Sequence, residues 1–197
     1  MSAQANRIRI IGGVWRSRQI SVLSHEGLRP SSDRVRETLF NWLGQDLSGL
    51  KVLDVFAGSG SLGFEAASRG AKEVVLLEKD KKIAAQLQSQ YQDLSSFPCI
   101  GSVKVIQNDG IVYMSQAQAA SFHLIFVDPP FSQPELLKRS ALDAARVCDD
   151  QFGGGIYIEC PITQDLSELE LLMPNWTCSR HMQTAQTKAA LFRHTSG

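Results

Sequence analysis

Several features are missing from this chain of 197 residues, and each absence removes a class of protein. No apolar run approaches the roughly 20 residues that span a bilayer, and the N-terminus, with Arg7 and Arg9 inside its first pattern, lacks the apolar core of a signal peptide. A cytoplasmic protein without a membrane segment is expected. The four cysteines, Cys99, Cys148, Cys160 and Cys178, include no C-x-x-C pair and no histidine at ligand spacing, so neither a zinc site nor a disulfide framework is expected. There is no internal repeat and no low-complexity linker, which leaves one domain of ordinary size with room for a small appendage. Net charge is missing too, because 20 basic side chains meet 20 acidic ones.

The charge is nevertheless uneven along the chain. Residues 1–36 hold seven arginines (Arg7, Arg9, Arg16, Arg18, Arg29, Arg34 and Arg36) against Glu26 and Asp33. A basic arm of this kind suits phosphate, and the planar, forked guanidinium suits both phosphate and base stacking. Exposed arginines are also common on any solvated surface. Arg7 to Ile11 alternates at period two, Gly12-Gly13 is a turn signal, and Val14 to Val22 resumes a weaker strand pattern, so a β-hairpin is expected. Trp15, with Arg16 and Arg18 beside that turn, could stack on a base or pin the hairpin to the body.

Beyond the hairpin, helices alternate with continuous apolar strands. Ser32-Asp33 caps a helix running to about Leu47, with Val35, Leu39, Trp42 and Leu43 on one face. Strands are expected over 52–55, 73–78, 103–106, 124–127 and 155–159, with helices between them and at 166–172. Two closing runs, 176–182 and 188–194, are expected to pair antiparallel. Apolar strands alternating with helices imply an α/β fold with a mostly parallel, doubly wound, Rossmann-like sheet of seven strands, the last pair antiparallel, plus the small N-terminal β-hairpin.

The stretch Val52 to Gly63 organises this pattern: a buried strand ending in Asp54 runs into Gly58-Ser59-Gly60 and then a helix. Glycines at such a turn let a ligand approach the backbone and expose the first helical N–H groups. The spacing Gly58-x-Gly60-x-x-Gly63, with Glu78 downstream, also fits a dinucleotide fingerprint. Asp54 argues against a pyrophosphate and for a cationic ligand such as the ammonium and sulfonium of S-adenosyl-L-methionine, unless it merely caps the turn. A branched side chain at Gly60 is expected to block the ligand and spare the fold. Each of the first four strands ends in an acid or polar residue (Asp54, Glu78, Asn108-Asp109, Asp128), and ligands of open α/β sheets bind at such ends.

Asp128-Pro129-Pro130-Phe131 is the sharpest chemical signal. Two prolines remove two backbone donors, leaving the Asp128 carboxylate and the Pro129 carbonyl as stiffly held acceptors suited to an NH₂ group. Drawing both amine protons out of the plane of a conjugated ring localises the nitrogen lone pair, while Phe131 can stack on the ring. His25, His123, His181 and His194 have no place in any of these motifs.

The set Asp54, Gly58, Gly60, Glu78, Asp109 and Asp128 to Phe131 resembles class I S-adenosylmethionine-dependent amino-methyltransferases. Ile11-Gly12-Gly13, Trp15-Arg16-Ser17-Arg18 and the segment from Arg29-Pro30 through Asp33-Arg34-Val35-Arg36-Glu37 to Leu43 are similar to the bacterial 16S ribosomal RNA guanine-N2 methyltransferase D family, over about Arg7 to Phe192. Val14, Ser17, Ser61 and Phe64 depart from the usual family residues. The resemblance implies methyl transfer to the exocyclic N2 of guanine-966 of 16S rRNA, in the small subunit or its assembly intermediate. No metal is required, because the sulfonium is already an activated donor, and a monomer is the default expectation. The resemblance also implies that Asp54, Gly58 and Gly60 meet the methionine end of the cofactor, Glu78 the ribose, Asp109 the adenine amino group, and residues 128–131 the guanine. Trp15, Arg16, Arg18 and Arg34 are the expected RNA contacts. Residues 1–30 would then form the hairpin and basic arm, and residues 31–197 the methyltransferase domain. Alternatives are an amino-methyltransferase of DNA adenine or cytosine or of protein glutamine, and a dinucleotide-dependent oxidoreductase.

Overall fold

The computed structural model describes residues 6–22, 32–98, 101–149 and 152–195. The sequence readings at His25, Cys99 and Arg29 to Ser31, and the expected boundary between residues 30 and 31, lie outside these. In chain order the elements are β1 (Asn6–Arg9), β2 (Gln19–Val22), α1 (Asp33–Trp42), β3 (Lys51–Asp54), α2 (Ser61–Ser68), β4 (Glu73–Glu78) and α3 (Lys81–Ser95). Then come β5 (Ser102–Gln107), α4 (Gly110–Gln116), β6 (Leu124–Val127), α5 (Pro134–Val147), β7 (Gly155–Pro161), α6 (Leu166–Leu172), β8 (Trp176–Gln183) and β9 (Thr187–His194).

Local chemistry accounts for most of the boundaries. The side chains of Ser32, Asp80, Asp109 and Asp165 each accept from N–H groups in the first turn of α1, α3, α4 and α6, and Pro134 opens α5 where a missing N–H costs nothing. α1 stops at Trp42, short of the expected Leu47, because Gly44 and Gln45 take positive φ and the Gln45 N–H turns back to the Phe40 carbonyl.

Seven strands form one sheet in the order β5-β4-β3-β6-β7-β9-β8. The first five in that row are parallel, and β9 joins β7 and β8 antiparallel. Because strand side chains alternate, the sheet buries two cores. On one face Val52, Val74, Leu76, Phe126 and Tyr157 pack under α1, α2 and α3. On the other, Leu53, Val75, Ile125, Ile156 and Ile158 pack under α4, α5 and α6.

The hairpin differs from its expected form. β2 begins at Gln19 rather than Val14, and Ile10 N–H donates to the Arg18 carbonyl across a long connection. Residues 12–15 wrap the end of α2 instead of pairing: Val14 N–H donates to the Ser68 carbonyl and Ser68 Oγ donates to the Gly12 carbonyl. Gly13, at φ +72°, lies so close to the Ser68 carbonyl that a Cβ there would collide with it. Ile8, Ile10, Trp15, Ile20 and Val22 join the same core as α1, α2 and α3.

Candidate active site

Strand order reverses between β3 and β6, and at this switch point the carboxyl ends of the strands bring the expected acids together. Asp54 ends β3, Glu78 ends β4, Asp109 follows β5 and Asp128 follows β6. A fifth acid, Glu159 near the end of β7, was not singled out in the sequence. The signal is an acid closing a continuous apolar run, but Glu159 stands two residues before the end of β7 rather than at its tip.

Asp54 is buried, and its Oδ2 accepts the Gly63 N–H at 3.0 Å. Loss of water, opposed by that hydrogen bond and reinforced by the nearby Glu78 charge, pushes its carboxyl up to about 7. Asp54 thus holds the first turn of α2 as well as facing the crevice. Gly60 is the residue before α2, with φ +78°, and a Cβ there would lie 2.5 Å from Phe64 and 2.7 Å from Leu87. This corrects the expectation that a side chain at Gly60 spares the fold: it would enter the core. Glu78 braces the glycine turn, accepting Gly58 N–H through Oε2 at 3.1 Å and Asp80 N–H through Oε1 at 2.8 Å. Asp109 caps α4 through Oδ1, and its Oδ2 pairs with Lys79 at 2.9 Å, a contact that holds the carboxyl below its usual range.

This set fits S-adenosyl-L-methionine better than a dinucleotide. The Asp54 and Glu78 carboxylates already accept from Gly63 and Gly58 at the turn where a pyrophosphate would lie, and Lys79 is already committed to Asp109. Acids match an ammonium, a sulfonium and a ribose diol instead. Among the described residues no group of His, Cys, Asp and Glu is disposed to hold a metal ion.

Asp128 is partly exposed, and no described residue donates a hydrogen bond to its carboxylate. Burial, then the Glu159 and Asp54 charges, raise its carboxyl well above the usual range. Pro129 is buried, Pro130 is exposed, and the Phe131 ring is 40% exposed, open to a planar partner.

Of the expected RNA contacts, Arg16 and Arg34 are exposed. Arg18, also exposed, lies over the Phe97 ring at 3.5 Å. Trp15 is corrected: its ring is wholly buried and its backbone N–H donates to Ser68 Oγ at 2.9 Å, so it pins the hairpin and cannot stack on a base in this arrangement. Arg16 borders a cleft of about 410 Å³ between the hairpin turn and α1, which also reaches Asn41, Gln45 and Arg69.

Comparison with known proteins agrees with this geometry. The profile of a family described as conserved hypothetical protein 95 matches residues 8–193. Ribosomal RNA small subunit methyltransferase D of Escherichia coli is 35% identical over 191 residues, covering 96% of this chain and 91% of that protein. The protein of the same name from Haemophilus influenzae is 49% identical over 126 residues, which is 63% of this chain and just under two thirds, 64%, of that protein. The solved structure of Escherichia coli yhhF, for which a methyltransferase role had been proposed, superposes with a TM-score of 0.80 at 33% identity, covering 98% of this chain and all of that one. A Thermus thermophilus 16S rRNA N2 methyltransferase, solved with AdoMet and guanosine, shares the fold at TM-score 0.73 and 22% identity, over 98% of this chain and 50% of that one. The chain therefore belongs to the conserved hypothetical protein 95 family, which is that of the ribosomal RNA small subunit methyltransferase D proteins.

Proposed function

We propose that this protein transfers a methyl group from S-adenosyl-L-methionine to the exocyclic N2 of a guanine in 16S rRNA, guanine-966 in the usual numbering, within the small ribosomal subunit or its assembly intermediate. The observation that carries the proposal is the state of Asp128: a carboxylate at the switch point, with no hydrogen-bond donor among the described residues, followed by two prolines and an exposed Phe131. Supporting it are the family membership and the names of the relatives from Escherichia coli and Haemophilus influenzae.

In this reading Glu78 accepts from the ribose hydroxyls, Asp109 from the adenine amino group, and the Asp54 field favours the cationic methionine end. When bound, the cofactor supplies a methyl group activated by a sulfonium, whose sulfur keeps the electron pair as the methyl departs. Asp128 and the Pro129 carbonyl accept from the two N2 protons and free the nitrogen lone pair, and Phe131 stacks on the base. The amine proton, made acidic as the N–C bond forms, passes to Asp128 or to water. No step calls for a metal. Arg16, Arg18 and Arg34 are placed on the RNA backbone, and the protein is taken to act as a cytoplasmic monomer.

Tritiated-methyl transfer to small subunits lacking the modification, with mass mapping of the product, tests this directly. Methylation of one guanine N2 is expected. A folded chain that binds S-adenosylhomocysteine yet labels only DNA or protein would overturn the assignment.

A further inference from the structure

The first face of the sheet carries more acid at its upper edge than methyl transfer by Asp128 alone needs. Parallel register sets Val127 of β6 beside Ile158 of β7, so Asp128, the first residue after β6, comes beside Glu159 within β7. Asp54, at the end of β3 and in register with Phe126, two residues before Asp128, lies on the same face. Glu159 is 5% exposed and Asp54 3%. Two residues before Glu159, on the same face, the wholly buried Tyr157 donates its hydroxyl to Glu159 Oε1 at 2.8 Å.

A phenol donating to a carboxylate favours the ionised form of that carboxylate. In a poorly hydrated site, the resulting charge is weakly screened from the next carboxylate. The groups that act on Asp128 are Glu159 from β7 and Asp54 from β3, and Asp128 acts in turn on Tyr157 and Cys160 of β7, while Glu78 of β4 acts on Asp54. All are acids. A protonated Asp128 gives up part of its acceptor capacity to its own O–H, whereas the ionised form only accepts.

We propose that Glu159, oriented by the Tyr157 hydroxyl, is a positioning residue that acts through Asp128, its charge setting the pH at which Asp128 becomes an ionised acceptor for the target amine. The inference rests on the function proposed above. It implies an acid limb in the kcat profile that follows Asp128 ionisation and moves when the Glu159 charge is removed.

The test uses carbon-13 NMR titration of the Asp128 carboxyl in the full chain, its signal assigned with Asp128→Asn, beside kcat against pH on small subunits. Glu159→Gln should lower the Asp128 midpoint and the acid limb together, by about one pH unit, the scale set by a neighbouring buried charge. Tyr157→Phe should move both in the same direction by less, because Glu159 without its donor holds its own proton more readily. An unchanged Asp128 midpoint in folded Glu159→Gln overturns the proposal, and if that variant does not fold, an unchanged midpoint in Tyr157→Phe does so. A shifted midpoint with an unmoved kcat limb overturns it as well. If wild-type protein methylates no small subunit while the midpoint still shifts, the proposed function fails and the Asp128–Glu159 coupling stands.

Discussion

Asp128 and Gly60 lie in the same crevice but answer to different demands, and their substitutions separate accordingly. Asp128 supports no other described residue through a hydrogen bond, so Asp128→Ala should keep its affinity for S-adenosylhomocysteine while losing methyl transfer. Asp128→Asn, which retains an acceptor oxygen, should keep part of the activity. Phe131→Ala should cost about 1–3 kcal/mol in capture of the base, the scale of one aromatic stack. Calorimetry and tritium transfer on the same preparations check all three, and parallel loss of cofactor binding and transfer in Asp128→Ala would sink the assignment of Asp128 to the amine. Gly60→Val, by contrast, should act on the whole fold. A β-branched residue at φ +78° is strained, and its side chain meets Phe64 and Leu87, so a stability loss of about 2–4 kcal/mol in urea unfolding is expected alongside any loss of cofactor.

At the scale of elements, the joint between hairpin and body depends on Glu65 of α2. Its carboxylate is wholly buried, accepts Ile11 and Gly12 N–H groups at 2.8 and 2.7 Å, pairs with Arg69 at 2.8 Å and faces Arg36 at 3.6 Å. Glu65→Ala would leave two guanidinium groups and two backbone donors without their shared acceptor. A loss of about 3–5 kcal/mol is expected, with hydrogen exchange accelerating first at Ile8 and Ile20 in the hairpin. None of this was visible in the sequence, where Glu65 is one acid in an apolar helix and its partners at Ile11 and Gly12 lie more than fifty positions away. Arg36 was counted there with the basic arm, yet its side chain is fully buried between Asp33, the Arg9 carbonyl and Glu65. The sheet was legible because continuous apolar runs such as Leu124 to Val127 have one stable use, burial on both faces. The strand-end acids were legible for the same reason, since a strand that is otherwise apolar makes its terminal acid conspicuous. The hairpin was not: Trp15 among arginines reads as readily as a base-stacking platform as it does as an anchor, and only its complete burial in the fold decides.

For the molecule as a whole, pH and salt report on different regions. Burial pushes the Asp54 carboxyl up to about 7 in the fold from 3.8 for an unperturbed group. An acid whose folded value is raised holds an extra proton in the native state, so its contribution to stability is full below 3.8 and is lost as pH rises through about 7. Asp54→Asn should flatten that part of the stability curve, as followed by urea midpoints between those limits. Salt should report on the arm. Replacing Arg16 and Arg18 is expected to raise KM for small subunits and to flatten its dependence on potassium chloride, with cofactor affinity unchanged; Arg16→Ala alone gives the purer electrostatic effect because Arg18 also packs on Phe97. An unaltered salt slope would place the phosphate contacts elsewhere.

One short helix touches both regions. All eight residues of α2 are buried, its first turn is held by Asp54 at the glycine turn, and its last, through Glu65 and Ser68, grips the hairpin within about 12 Å. A buried helix of two turns has no slack with which to absorb a disturbance at one end. The hairpin is therefore not a detachable tag, and grafting in the arm of another family member without matching Glu65 and Ser68 should also retune affinity at the glycine turn, read as S-adenosylhomocysteine binding by calorimetry.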